Sequence, residues 1–219
     1  MKVSRSAEIR RRYMAANLSG IACARTIARM KARMRGRATY ADLEKVPENM
    51  VAELIDGDLY ASPRPAGPHA RFATALAMDI GPPYDRGRSG PGGWWIVFEP
   101  EVHFTLNEQV LVPDLGGWRR ERMPRIPKDQ RFVVTPDWVC EVISPSSLRI
   151  DRGKKMRIYA EHGVPWMWLV DPIGRMLEVL TLDGGSWKYA GTFSGEDVVR
   201  AEPFPEAEID LGSIWGPDE

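Results

Sequence analysis

The stretch DWVCEVISPSSLRIDRGKKMRIYAEHGVPWMWLV, residues 137–170, decides the fold. Asp137 to Ile143 is an apolar run of strand composition, and Ser144-Pro145-Ser146-Ser147 turns the chain. Ser147 to His162 is charged and helix-like, and Gly163 ends it. Trp166 to Val170 is apolar again. Strand, helix, strand in succession predicts one right-handed parallel crossover. Two residues disturb the pattern. Glu141 stands inside the first strand, and Lys154-Lys155 come early in the helix. A carboxylate buried alone is costly, so Glu141 must find solvent, a cation or a hydrogen-bond donor.

Outward from this unit the signals are mostly β. Asp56-Gly57 between strand-like flanks in AELIDGDLYAS (Ala52 to Ser62) predicts a hairpin, and Asp183-Gly184-Gly185 predicts a second. Trp94 to Phe98 is an apolar strand. Val102, Phe104 and Leu106 alternate with polar residues, a half-buried strand that turns at Asn107-Glu108-Gln109 into Val110 to Val112. Thr39 to Val46 reads as a short helix capped by Thr39, and His69 to Ile80 as a longer one near Pro68, with Phe72, Leu76 and Ile80 on one face. Gly81 to Gly93 reads as a flexible surface loop, Gly116 to Phe132 as a polar basic one, and Ile209 to Trp215 as a closing helix or edge segment. The fold class is α/β: a mixed sheet flanked by helices, with β-hairpins.

The chain of 219 residues suits one main domain, and its 43% hydrophobic share with eight Trp supplies a core. Residues 1–37 hold eleven basic residues and one acid, Glu8, for a net of +10. The rest hold nineteen bases and twenty-nine acids, for −10. Three readings of this extension stay open: an arm that binds nucleic acid or an anionic surface, an exposed tail without a partner, and an artefact of translation that starts at Met30 or Met34. Residues 38–219 form the domain proper. Two isolated cysteines, Cys23 and Cys140, point to a reducing cytosol rather than a disulfide framework. No long apolar run predicts a membrane span, and no small-molecule cofactor is expected.

Two more acids share the setting of Glu141. Asp114 follows Val110 to Pro113, and Glu53 precedes Leu54-Ile55. Taken singly, each reads as an edge position or a salt bridge. Together, Asp114, Glu141 and a helix lysine can meet at one end of a sheet. Two carboxylates around a vacancy suit Mg²⁺, which takes oxygen ligands and substrate phosphate. A lysine beside them can orient or deprotonate water and offset transition-state charge. Lys155 stands four residues after Asp151 and four before Tyr159, on one face, with Lys154 about 100° around. The bland reading of Lys155 is a surface pair with Asp151.

These residues resemble the PD-(D/E)xK nuclease superfamily and, more narrowly, the Uma-two group of restriction-endonuclease-like proteins. The resemblance is carried, in order, by ELIDGDL (53–59), His69, VPDL (112–115), EVISPS (141–146), DRGKK (151–155) with Tyr159, and GVPWMWLVDP (163–172). It implies a restriction-endonuclease-like fold and a Mg²⁺-dependent (Mn²⁺ as substitute) endonuclease that hydrolyses phosphodiester bonds of DNA. Asp114, Glu141 and Glu53 match the metal-binding acids, and Lys155 matches the water-activating lysine, which this group draws from the helix because Ile143 stands where the superfamily places it. His69 and Tyr159 match supporting positions. A homodimer is the default assembly, and the cytoplasm the default location. The alternative function is a catalytically silent nuclease-like module that binds nucleic acid or a protein partner; a weaker one is metal-dependent hydrolysis of some other substrate. His103 beside Glu101 reads as a polar strand face, His162 as structural, and Trp138, Trp166 and Trp168 as core. Gly116-Gly117 reads as loop, and Arg119, Arg120, Arg122 and Arg125 as either a phosphate-contact patch beside the metal or a solvated loop.

Overall fold

The computed structural model describes residues 37–64, 67–145 and 147–215, with Pro68 described by its backbone alone. The basic extension therefore lies, apart from Arg37, outside the described residues, as do Cys23 and Ser146.

The chain opens with α1 (Tyr40–Leu43), whose Asp42 carboxylate accepts from the Thr39 N–H and hydroxyl at 3.0 and 2.7 Å. β1 (Met50–Ile55) and β2 (Asp58–Pro63) form the expected hairpin. Asp56 and Gly57 both take positive φ, as the tight two-residue turn demands. α2 (Gly67–Ile80) follows, and Phe72, Leu76 and Ile80 are buried on its inner face as the spacing predicts. Each such side chain adds roughly 1.5–3 kcal/mol of burial. β3 (Trp94–Phe98), β4 (Glu101–Thr105), β5 (Gln109–Leu111) and β6 (Leu115–Arg119) come next. Then come β7 (Arg131–Phe132), β8 (Trp138–Val142), a π-helical turn (Ile150–Lys155), α3 (Met156–Glu161) and β9 (Trp166–Asp171). The chain closes with β10 (Met176–Asp183), β11 (Ser186–Ser194), β12 (Val198–Val199), β13 (Ile209–Asp210) and α4 (Leu211–Trp215).

The longer strands divide into two mixed sheets. One has the order β11-β10-β9-β8-β6-β3 and the other β2-β1-β5-β4-β7. The crossover predicted from residues 137–170 is present: β8 and β9 pair in parallel, Trp138 with Trp166 through Val142 with Val170. Passage between the sheets occurs at Val112-Pro113-Asp114, between β5 and β6. Pro113 has no N–H to give a ladder, so neither sheet can run on through it. The six-stranded sheet is covered on both faces. Trp138, Cys140, Val142 and Trp168 pack with Phe72, Leu76 and Phe204. Val139, Met167 and Leu169 pack with Ile55, Leu111, Ile158 and Tyr159. Trp138, Trp166 and Trp168 are thus core or packed on it, as predicted.

Several sequence expectations are corrected. Gly81–Asp85 is not loop but a π-helical turn that extends α2 and buries Tyr84, because Tyr84 packs edge-on against Trp94 and Phe204. Gly116-Gly117 is not loop but the middle of β6. A Cβ on Gly116 would lie 2.8 Å from the Trp118 ring and 2.9 Å from Pro100, so glycine is required by close approach. The expected helix from Ser147 to His162 starts α-helical at Leu148-Arg149, widens into a π turn over Ile150–Lys155 and returns to α at Met156. Leu106 is 67% exposed at the hairpin tip rather than on the buried face. Both tail readings hold in part, with β13 pairing β12 before α4 closes the chain.

Candidate active site

The site grows from strand register. Leu115 of β6 pairs with Cys140 of β8, and Gly116 with Val139. One step further along that antiparallel register sets Asp114 opposite Glu141, so both carboxylates leave the same end of the sheet. Asp114 Oδ2 accepts from the Val142 N–H at 2.7 Å, which seats the carboxylate at the finish of β8. From the other sheet, β1 presents Glu53, whose Oε1 accepts from the Val112 N–H at 2.8 Å. The inter-sheet passage thus brings three acids distant in sequence to one place.

The π turn adds the cation. Its wide winding carries Asp151 and Lys155 inward together, four residues apart. The Lys155 ammonium lies 2.8 Å from Glu53 Oε1, 3.0 Å from Glu141 Oε1 and 3.8 Å from Asp151 Oδ1, and its side chain is 4% exposed. It also donates to the Val112 carbonyl at 3.3 Å. The Tyr159 hydroxyl donates to Glu141 Oε1 at 2.5 Å. Glu141 survives inside its strand because Lys155 and Tyr159 supply the donors its burial demands. Lys154 turns outward, 3.2 Å from Asp56 Oδ2 and over the Tyr60 ring.

The electrostatics are lopsided. Glu53, Asp114, Glu141 and Asp151 face one lysine. Burial pushes the Asp114 carboxyl up to about 7, against the Val142 hydrogen bond and the Lys155 charge. Burial likewise raises Glu141 and Asp151, with Lys155 opposing in each case. For Lys155 itself burial disfavours the charge, but Glu141, Glu53 and Asp151 outweigh it and hold the ammonium protonated. His69, at the start of α2, sits with Nε2 3.4 Å from Asp114 Oδ1. Burial chiefly, and Lys155 in addition, lower its pKa, so the ring is neutral at pH 7. Its Nδ1 is buried without a hydrogen-bond partner.

A cleft of about 540 Å³ opens on this cluster, walled by Glu53, Asp114, Asp151 and Lys155 with Arg64 and Glu99 at its rim. Glu141 lies beneath the wall, its oxygens engaged by Tyr159 and Lys155. Among the described residues no three His, Cys, Asp or Glu side chains make a ready-made metal cage. The donor set nevertheless fits a hard divalent cation. It is oxygen-rich, carries surplus negative charge, and includes a carboxyl that burial holds near neutrality until a cation compensates it.

Every predicted site residue (Glu53, His69, Asp114, Glu141, Lys155, Tyr159) therefore belongs to one cluster. Asp151 also belongs, buried rather than in the surface pair considered for it; its signal was its place four residues before Lys155. Arg64 and Glu99 carried no signal, because only folding brings them to the rim. The arginines after Asp114 do not flank the site. Strand β6 carries them to the far end of the sheet, where Arg122 pairs with Asp137 at 2.7 Å and Arg120 donates to the Trp94 and Asp85 carbonyls. His103 is spent on Glu101 at 2.7 Å, and His162 on the Ile158 carbonyl at 2.9 Å.

No curated protein matches the chain. The crystal structure at 1.96 Å of a protein described as a putative nuclease, from Anabaena variabilis ATCC 29413, is similar over 81% of this chain and 97% of that one, at 21% identity and a TM-score of 0.64. That likeness establishes a shared fold. The Uma2 family model, described as "Putative restriction endonuclease", matches residues 37–212, and the chain belongs to that family.

Proposed function

We propose that the chain is a divalent-metal-dependent endonuclease that hydrolyses phosphodiester bonds of DNA, with Asp114 and Glu53, which line the cleft, as residues that would hold Mg²⁺ or Mn²⁺, and Glu141 as the third acid, which would reach the ion only by giving up Lys155 or Tyr159. The observation that carries this reading is the crowding of three carboxyls around Lys155, with Asp114 beside them on the wall of an open cleft. A bound divalent ion would supply Lewis acidity toward a phosphate oxygen.

The roles of the side chains follow from their environments. Lys155 is held protonated by three carboxylates, so it serves as a fixed positive charge that offsets charge on the phosphoryl oxygens. Proton abstraction by Lys155, the other role weighed for it, does not suit an ammonium so stabilised. Tyr159 and the Val112 carbonyl fix where that charge stands. His69, neutral and against Asp114, orients that carboxylate. A homodimer acting in a reducing cytosol, with residues 38–219 as the nuclease domain, completes the reading. No helix among the described residues is long and apolar enough to cross a membrane.

The test is nicking of supercoiled plasmid with Mg²⁺ or Mn²⁺. Wild type should nick, while Asp114→Ala and Lys155→Ala should not. Equal inertness of all three, with DNA still bound, would replace this reading with a binding module.

A further inference from the structure

A polyanionic substrate entering this cleft needs a cation to meet it. Two basic side chains wall the cleft, Lys155 and Arg64. Lys155 has no donor to spare: its three N–H groups are directed to Glu53, Glu141 and the Val112 carbonyl. Arg64 differs in every respect. Its side chain is 54% exposed, it sits at the rim, and its guanidinium is paired with Glu99 and touches the Glu48 carbonyl at 3.4 Å. Only the arginine half of this pair is exposed, and a solvated guanidinium can exchange partners. Guanidinium also matches phosphate geometry with two parallel hydrogen bonds.

Glu99 is placed with care. It takes φ +44, a left-handed backbone unusual for glutamate, immediately after β3 ends at Phe98. Its N–H donates to the Asp114 carbonyl at 3.1 Å, so the residue that holds Arg64 is tied to the backbone of the candidate metal ligand. Its side chain is only 10% exposed. A second cleft, of about 570 Å³, meets the first at Arg64 and Glu99 and is walled by Glu44, Glu48 and Glu101. Both clefts are acid-rich, but only the first contains the candidate metal-binding carboxyls, where a bound cation would offset the repulsion of phosphate.

We propose that Arg64 is the side chain that grips substrate phosphate in this cleft, and that Glu99 competes with the phosphate for it. The proposal rests on the nuclease reading and names a binding residue that reading lacked. In the substrate-free protein Glu99 occupies the guanidinium. When DNA enters, a phosphate displaces the Glu99 carboxylate, and the guanidinium is released toward the catalytic cleft that it also lines.

The test uses the full chain and fluorescein-labelled 16-base-pair duplex in EDTA, read by anisotropy across a salt series, with plasmid nicking in Mg²⁺ alongside. Arg64→Ala should weaken binding about tenfold and reduce the slope of log K against log salt by about 0.9, the share of one phosphate contact. Arg64→Lys should recover the slope but only part of the affinity. Glu99→Gln should bind several-fold tighter than wild type, because the competitor is gone. Melting curves confirm that each variant folds. If wild type nicks and binds while Arg64→Ala matches it in affinity and slope, or Glu99→Gln binds no tighter, the pair is structural and the proposal falls while the nuclease reading stands. If wild type neither binds nor nicks DNA, both fall together.

Discussion

The two ends of the six-stranded sheet both concentrate charge, and they do so in opposite ways. At the far end of β6 each charge has its answer. Asp137 accepts from Arg122 at 2.7 Å and from the Arg119 N–H at 2.8 Å. Arg120 satisfies two carbonyls and lies 3.8 Å from the Trp95 ring centroid. At the cleft end four carboxyls share one ammonium, and burial raises the pKa of three of them. Paired charge steadies a fold. Unbalanced buried charge costs stability, and in a cleft it marks a candidate functional site. The difference separates an anchoring end from a working end.

Removing the cleft's cation should give the largest effect. Lys155→Met should lower plasmid nicking by roughly 100-fold or more, the usual loss when one preorganised charge-stabilising group is deleted. Activity within twofold of wild type would erase the distinction between the two ends. The converse variant is Asp137→Ala at the anchored end. It strands the Arg119 N–H and the Arg122 guanidinium, so stability should fall by about 1–3 kcal/mol with nicking per folded molecule unchanged. Chemical denaturation and a specific-activity assay check it together.

Asp114→Asn sharpens the comparison through pH. The folded-state carboxyl titrates at about 7 and the reference value is 3.8. The folded protein therefore holds a proton that the unfolded chain releases, so this group favours folding below the reference value and loses that contribution as pH rises to about 7. Asparagine does not titrate. In EDTA at pH 8 the variant should melt a few degrees above wild type, with the gap closing as pH falls from 7 toward 4. A gap independent of pH would mean that the carboxyl is not strained by burial. The smallest effect belongs to Lys154→Ala. Its exposed contact with Asp56 is worth less than about 1 kcal/mol, and neither melting nor nicking should change appreciably.

Much of this was legible beforehand. The crossover over 137–170, both hairpins and the buried face of α2 follow from periodicity and turn chemistry, which are local. Glu53, Asp114 and Glu141 were legible as acids beside or within apolar strands, and they and Lys155 as matches to a family pattern. Asp151 was visible in the DRGKK motif and as the partner in the bland surface-pair reading of Lys155, but its burial was not, because burial cannot be read from spacing. The π turn was not legible either. Residues 147–162 are helical in composition, and nothing local in them marks the π winding over Ile150–Lys155, within which Asp151 and Lys155 are both buried.

The sequence by itself determined which segments extend, turn and coil, and which carboxylates intrude where apolar residues belong, because those are properties of neighbours along the chain. Only the tertiary structure decided that the strands divide into two sheets at Pro113, that Glu141 is sealed by Tyr159 and Lys155 while Asp114 meets the cleft, that the arginines of residues 119–122 point away from the site, and that Arg64 and Glu99, thirty-five residues apart, meet at its rim. The physical reason is that charge and burial are set by what long-range packing brings near. No local pattern records which cation a buried carboxylate will find.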